Sequence, residues 1–132
     1  MRLLLAALAL SAAVPGVWAS AAPRSFYADF PGLGRRWVAE LPAYSEHLVR
    51  DVGAFYVAFA VLFAWAALRP SRALVVPLTA GWAVFSVLHL AFHAANTEGF
   101  ATVDAVAQTA SLVAVLAAAV AALLLTRRAP SG

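Results

Sequence analysis

The chain has 132 residues, of which 64% are hydrophobic and only 11% are charged. Soluble domains are closer to half apolar and a quarter charged, so this composition predicts a single membrane-embedded domain over residues 1–132. The net charge of +3 comes from nine basic residues, all of them arginine, against six acids. Several arginines flank apolar runs, which favours a role in membrane topology over nucleic-acid binding. The absence of cysteine excludes disulfides, thiolate catalysis and cysteine-ligated metals.

Four apolar runs follow one another along the chain, and each is long enough to cross a bilayer, which takes about 20 residues as a helix. They cover approximately residues 3–22, 50–68, 73–93 and 104–125. The first run could instead be a secretory signal, because Ala19-Ser20-Ala21 fits a cleavage site and Pro15 lies just before it. We expect it to be retained as a span, since no soluble domain that would need export follows it.

Residues 23–49 form the only long connection, and they are rich in aromatic side chains. Phe26, Tyr27, Phe30, Trp37 and Tyr44 beside a membrane span are typical of an interfacial belt. Prolines and glycines in the same stretch exclude a long helix. The segment is therefore either a connecting loop with membrane anchors or a lid over the polar residues that follow it.

The positions of the arginines predict the orientation. One side of a four-span arrangement carries Arg2, Arg69, Arg72, Arg127 and Arg128. Short cytoplasmic loops are enriched in such residues, so both termini are predicted to be cytoplasmic in a multi-pass plasma-membrane protein. The expected fold is an all-α transmembrane bundle of four antiparallel helices. The lipid bilayer is its expected partner, and the sequence leaves a homo-oligomer or another membrane partner open.

Ionisable and polar side chains gather at the opposite side, in pairs spaced four residues apart. The pairs are Glu46 with Arg50, His47 with Asp51, His89 with His93, and Asp104 with Gln108. Residues at this spacing share one helix face. Because the second and fourth spans begin on this side and the third ends there, we expect all eight side chains to meet in one inward-facing cluster. Charged groups facing lipid would lack partners.

Three interpretations of this cluster stay open. The first is a buried polar network that holds the helices in register, which would make the protein structural or accessory. The second is a site for a divalent transition metal with His47, His89, His93 and Asp51 as ligands. The third is a site for haem, a quinone or another lipid-like ligand, with a redox-related role. No nucleophile is marked, so whether the protein is an enzyme also stays open.

Three sequence blocks resemble a family of small actinobacterial integral membrane proteins without an established reaction. The blocks are Phe26-Tyr27-Ala28-Asp29-Phe30-Pro31-Gly32, then Glu46-His47-Leu48-Val49-Arg50-Asp51-Val52-Gly53, then His89-Leu90-Ala91-Phe92-His93. The layout is also similar to DoxX-like four-helix membrane proteins. The family pattern places a third histidine where this chain has Asn96 and an asparagine where it has Ser45. The resemblance implies the architecture and the place of a site, and the missing histidine argues against an all-histidine metal site.

Overall fold

The structure is a computed structural model that describes residues 1–41 and 43–128. Its elements in chain order are α1 (Arg2–Ala21), α2 (Pro23–Asp29), β1 (Pro31–Gly32), β2 (Arg35–Arg36), α3 (Glu46–Leu68), α4 (Arg72–Ala95) and α5 (Thr102–Arg128). Four helices, α1, α3, α4 and α5, are long and apolar enough to cross a membrane. The all-α bundle predicted from the sequence is confirmed.

The third helix begins earlier than the sequence suggested. We placed the second span from about residue 50, but α3 starts at Glu46, so the whole polar motif from Glu46 to Asp51 is helical. The preceding connection is also more ordered than a plain loop. It contains the seven-residue helix α2 and a short antiparallel hairpin of β1 and β2. Residues 23–41 are called the cap segment below.

The four long helices form two close pairs, α1 with α3 and α4 with α5. The first pair is tight because two glycines let the backbones approach. A Cβ added at Gly16 would lie 2.9 Å from the backbone nitrogen of Val57, and one added at Gly53 would lie 2.7 Å from that of Ser20. Small residues at helix contacts serve this purpose in membranes, where lipid is as apolar as the side chains. These glycines fix how α3 is rotated about its own axis.

The buried core lies at the end of the bundle that carries Met1 and Arg128, here called the terminal end. It joins α1, α3, α4 and α5 through Leu5, Leu8, Ala12, Ala60, Phe63, Ala66, Val75, Leu78, Trp82, Ala119 and Ala122. There α5 reaches α1, and the Thr126 hydroxyl donates to the Met1 sulfur at 3.7 Å. Towards the opposite end, here called the cap end, the space between α1 and α5 is a cavity instead of packed core.

The cap segment folds back across the bundle at the cap end. Gly32, Leu33 and Gly34 all have positive φ, a conformation that glycine adopts without strain, and they turn the chain between β1 and β2. The Tyr27 hydroxyl donates to the Leu41 carbonyl at 3.2 Å, which ties α2 to the end of the segment. The segment thereby presents aromatic and apolar side chains to the helices beneath it.

Candidate functional site

The candidate site is a cavity of about 690 Å³ between α1, α3, α4 and α5, with the cap segment above it. This volume lies within the range of about 300–1,000 Å³ that is usual for small-molecule sites. Its wall is mostly apolar and aromatic. Cap-segment residues Phe26, Phe30, Pro31, Trp37, Val38 and Leu41 line it at the cap end. The arrangement agrees with the lid interpretation of this segment more closely than with a plain connecting loop.

Four polar side chains also line the cap end of the cavity, beneath the apolar cap segment. Ser86, His89 and His93 reach it from α4, and Gln108 reaches it from α5. The two imidazole rings lie side by side with centroids 4.7 Å apart. His89 Nδ1 is 3.3 Å from the Tyr56 hydroxyl of α3, and this hydrogen bond connects the two helix pairs. From Ser86 to His93 the polar strip extends along α4 for about 10 Å, at 1.5 Å per residue.

Two polar atoms of the cavity wall have no hydrogen-bond partner within the described chain, Ser86 Oγ and, deeper in the bundle, Trp82 Nε1. The side chains of His93 and Gln108 lie close enough to hydrogen-bond each other, so they need no partner from outside the chain. Ser86 is only 5% exposed. Leaving a buried polar group unpaired costs about 1–3 kcal/mol, so such groups normally find a partner. Water or a bound molecule in the cavity can supply the partner of Ser86.

The remainder of the cavity is mostly apolar and opens between α1 and α5. Leu10 and Val14 of α1 line it, yet they are 65% and 54% exposed. On the other side Leu112 and Val115 of α5 complete the wall. Since α1 and α5 contact each other mainly at the terminal end, their cap-end halves leave a gap that faces lipid. A molecule dissolved in the bilayer could enter here without crossing water.

An ionic contact fastens the cap segment to the bundle. The Arg35 guanidinium and the Trp37 indole both donate to Asp104 Oδ1, the indole at 2.8 Å. Asp104 lies in the first turn of α5, where the helix dipole also favours a negative charge. Trp37 itself lines the cavity, so this contact positions part of the wall. Asp104 thus closes the cap and does not take part in the polar end of the cavity.

Glu46 and Arg50 form a separate group at the surface. Arg50 Nε lies 3.0 Å from Glu46 Oε1, and its Nη1 donates to the Ser20 carbonyl at 2.6 Å. Tyr44 donates to Glu46 as well, at 3.3 Å. Partial burial and then the nearby Glu46 carboxylate raise the pKa of the Tyr44 phenol. These contacts connect the start of α3 to the end of α1 and lie outside the cavity.

His47 and Asp51 also lie outside the cavity, contrary to the expected single cluster. They contact each other at 3.2 Å, with side chains 82% and 62% exposed. The reason is helical rotation. Successive helix residues are about 100° apart, so His47 and Asp51 are each rotated by about 200° from Val49 and Gly53 on the inner face. With Gly53 held against α1, this pair must point outwards.

The eight polar residues therefore form separate groups, and the predicted metal ligands are not brought together. His89 and His93 are adjacent, but His47 and Asp51 face away from them. Within the described ranges, no three histidine, aspartate or glutamate side chains are placed to hold one metal ion. The prediction that all eight side chains form one cluster was wrong, although three of the four pairs are in contact as predicted.

Tyr56, Ser86 and Trp82 belong to the site but were not placed in the predicted cluster. Ser86 stood out from the sequence only as a serine near His89 that nothing marks as a nucleophile. It could have been placed in the cluster, because it precedes His89 by three residues and His93 by seven and so lies on the same helix face. Tyr56 and Trp82 carry no such signal, since aromatic residues in apolar spans are usually core. No known protein family, curated protein or solved structure matches the chain.

Proposed function

We propose that this membrane protein binds a lipid-like small molecule in the cavity between α1, α3, α4 and α5. One observation carries the proposal: a largely apolar cavity of about 690 Å³ also presents polar side chains at its cap end, among them the buried and unpaired hydroxyl of Ser86. An amphipathic molecule matches both properties, with its head beside His93 and Gln108 and its tail along Leu112 and Val115. The lateral gap beside Val14 would admit it from the bilayer.

A purely structural role is the second candidate. The Tyr56–His89 hydrogen bond favours it, because that bond joins the two helix pairs. A polar network that served only packing would satisfy its own members, since a half-satisfied network is worse than an apolar core. Here the Ser86 hydroxyl has no partner in the described chain, although it is only 5% exposed. A bound molecule accounts for that hydroxyl and for the cavity together.

The test is to purify the protein and identify the molecules that accompany it by native mass spectrometry. Leu112→Trp should fill the apolar part of the cavity and abolish co-purification. Val113→Trp is the matched control. Val113 follows Leu112 in the chain, is 47% exposed and lies outside the cavity wall. Equal recovery of bound lipid from both variants would contradict the proposal. Elemental analysis and an absorption spectrum of the same sample test the metal and haem alternatives.

We also propose that the protein is a multi-pass plasma-membrane protein with both termini in the cytoplasm. The support is the set of arginines at the terminal end and in the α3–α4 turn, together with the even number of membrane-length helices. The cap segment and the polar end of the cavity would then face the outer leaflet. A reporter fused after Arg128 should behave as cytoplasmic. Periplasm-type activity of that fusion would reverse the orientation.

A further inference from the structure

The wall of the cavity carries no fixed charge. Among the described residues that line it, none is an aspartate, a glutamate or an arginine, and the sequence contains no lysine. The polar members of the wall are serines, a tyrosine, tryptophans, a glutamine and two histidines. An ionised head placed against this wall would leave water without meeting an opposite charge, which is costly inside a membrane protein.

Two ion pairs hold charged side chains of the cap end outside the wall. Asp104 of α5 accepts from Arg35 of the cap segment, and Glu46 accepts from Arg50 within α3. None of these four residues lines the cavity. A ligand head could recruit one of them only by breaking an ion pair that already exists, so these residues do not supply the missing opposite charge.

The two histidines are the members of the wall that could become charged near neutral pH. No carboxylate among the described lining residues could balance a proton on either ring. Protonation of both would place like charges on rings whose centroids are 4.7 Å apart. We therefore expect His89 and His93 to meet a ligand as neutral hydrogen-bonding groups.

An uncharged polar head finds suitable partners in the same place. The Ser86 hydroxyl has no partner in the described chain, and a hydroxyl can donate or accept. The Gln108 side chain, within hydrogen-bond reach of His93, carries both donors and an acceptor. A hydroxyl, a ketone or an ester oxygen could each be paired here. The feature that restricts the ligand is therefore the absence of charge from the wall.

Building on the proposed function, we propose that the cavity accepts uncharged lipids and excludes lipids with an ionised head. Long-chain alcohols, fatty esters, diacylglycerol-type lipids and alkyl quinones belong to the accepted class. Fatty-acid anions, alkylammonium ions and phospholipids belong to the excluded class. The head would lie beside Ser86, and the tail would extend along the apolar wall formed by Leu112 and Val115.

The experiment compares probes that share a ten-carbon tail and differ in the charge of the head. Decanol and methyl decanoate are uncharged, decyl sulfate is a fixed anion, and decyltrimethylammonium is a fixed cation. Calorimetry measures the binding of each probe to the full-length protein in lipid nanodiscs. The same titration of the Leu112→Trp variant is subtracted, because it reports partition into the bilayer. We expect each uncharged probe to bind about tenfold or more tightly than either ion.

Fixed charges introduced into the wall should change this preference. Gln108→Lys places an ammonium beside the head and should make decyl sulfate the tightest-binding probe. Thr109→Lys is the matched control, because it puts the same charge on the next residue of α5, outside the wall, and it should keep the wild-type order. His93→Arg, in the last turn of α4, gives a second readout if Gln108→Lys does not fold. Phe92→Arg, outside the wall, is its control.

Two kinds of failure can be told apart. If decyl sulfate binds wild-type protein as tightly as decanol, the exclusion of ionised heads is wrong and a lipid-binding cavity remains. Equally tight binding of decyltrimethylammonium would also overturn it, and would show that the aromatic rings of the wall hold a cation. A folded Gln108→Lys protein that keeps the wild-type order would contradict the place of the head. If no probe binds wild-type protein more tightly than the Leu112→Trp variant, the proposed function itself fails.

Discussion

Substitution of Gly53 by alanine tests the packing that sets the orientation of α3. The new Cβ would lie 2.6 Å from Ser20 Oγ, 2.7 Å from the Ser20 nitrogen and 3.0 Å from the Ala19 carbonyl carbon. The Ser20 hydroxyl can rotate away, but the backbone of α1 cannot, so the two helices must separate. Overpacking of this kind costs about 1–3 kcal/mol, and we expect the upper part of that range.

Gly81 provides the matched control on α4. A Cβ added there meets nothing within 4 Å, so Gly81→Ala only removes the backbone freedom of a helical glycine. That change stabilises a helix by about 0.5–1 kcal/mol. Because Gly53 is also helical, both variants gain this helix term and it cancels in the comparison. The two variants should therefore differ by about 2–3 kcal/mol in the free energy of unfolding, which is the overpacking cost alone.

Reversible unfolding of purified protein in mixed micelles, followed by helical circular dichroism, measures this difference. Equal stabilities of Gly53→Ala and Gly81→Ala would refute the close approach of α1 and α3. Equal stabilities would also result if residues 3–22 were cleaved off as a secretory signal, because the atoms that meet the new Cβ all belong to α1. The intact mass of the extracted protein distinguishes these causes, and we expect it to include residue 1.

Two further predictions concern polar residues that the sequence analysis had placed in one cluster. Asp104→Asn should weaken the hold on the cap segment and should speed hydrogen exchange in residues 31–41 by about 5- to 30-fold; unchanged exchange, or the same effect from Glu98→Gln on the exposed α4–α5 turn, would contradict this role. His47→Ala and His93→Ala should affect unfolding additively, to within about 0.5 kcal/mol, because the His47 side chain is exposed and the His93 side chain lines the cavity; a larger coupling energy would restore the single cluster.

The membrane-length helices and the local residue pairs could be predicted from the sequence alone. Four apolar runs of about 20 residues predict four membrane-spanning helices. In lipid the backbone N–H and C=O groups must form their hydrogen bonds within the segment, and a helix does this. The pairs at four-residue spacing formed where both members belong to one helix, as with Glu46–Arg50 and His89–His93. These pairs depend only on the helical repeat, so the sequence of one helix is enough to predict them.

The direction in which each pair faces, and the residues that it contacts, depend on how the helices pack together. The rotation of α3 is set by the contact of Gly16 and Gly53 with the opposing backbone, and an apolar span gives little local signal of that contact. Asp104 bonds to Arg35 and Trp37 of the cap segment, which are distant in the sequence. Its four-residue spacing to Gln108 therefore did not predict its partners. The cavity arises because α1 and α5 contact each other mainly at the terminal end, and a space between helices is a property of their packing.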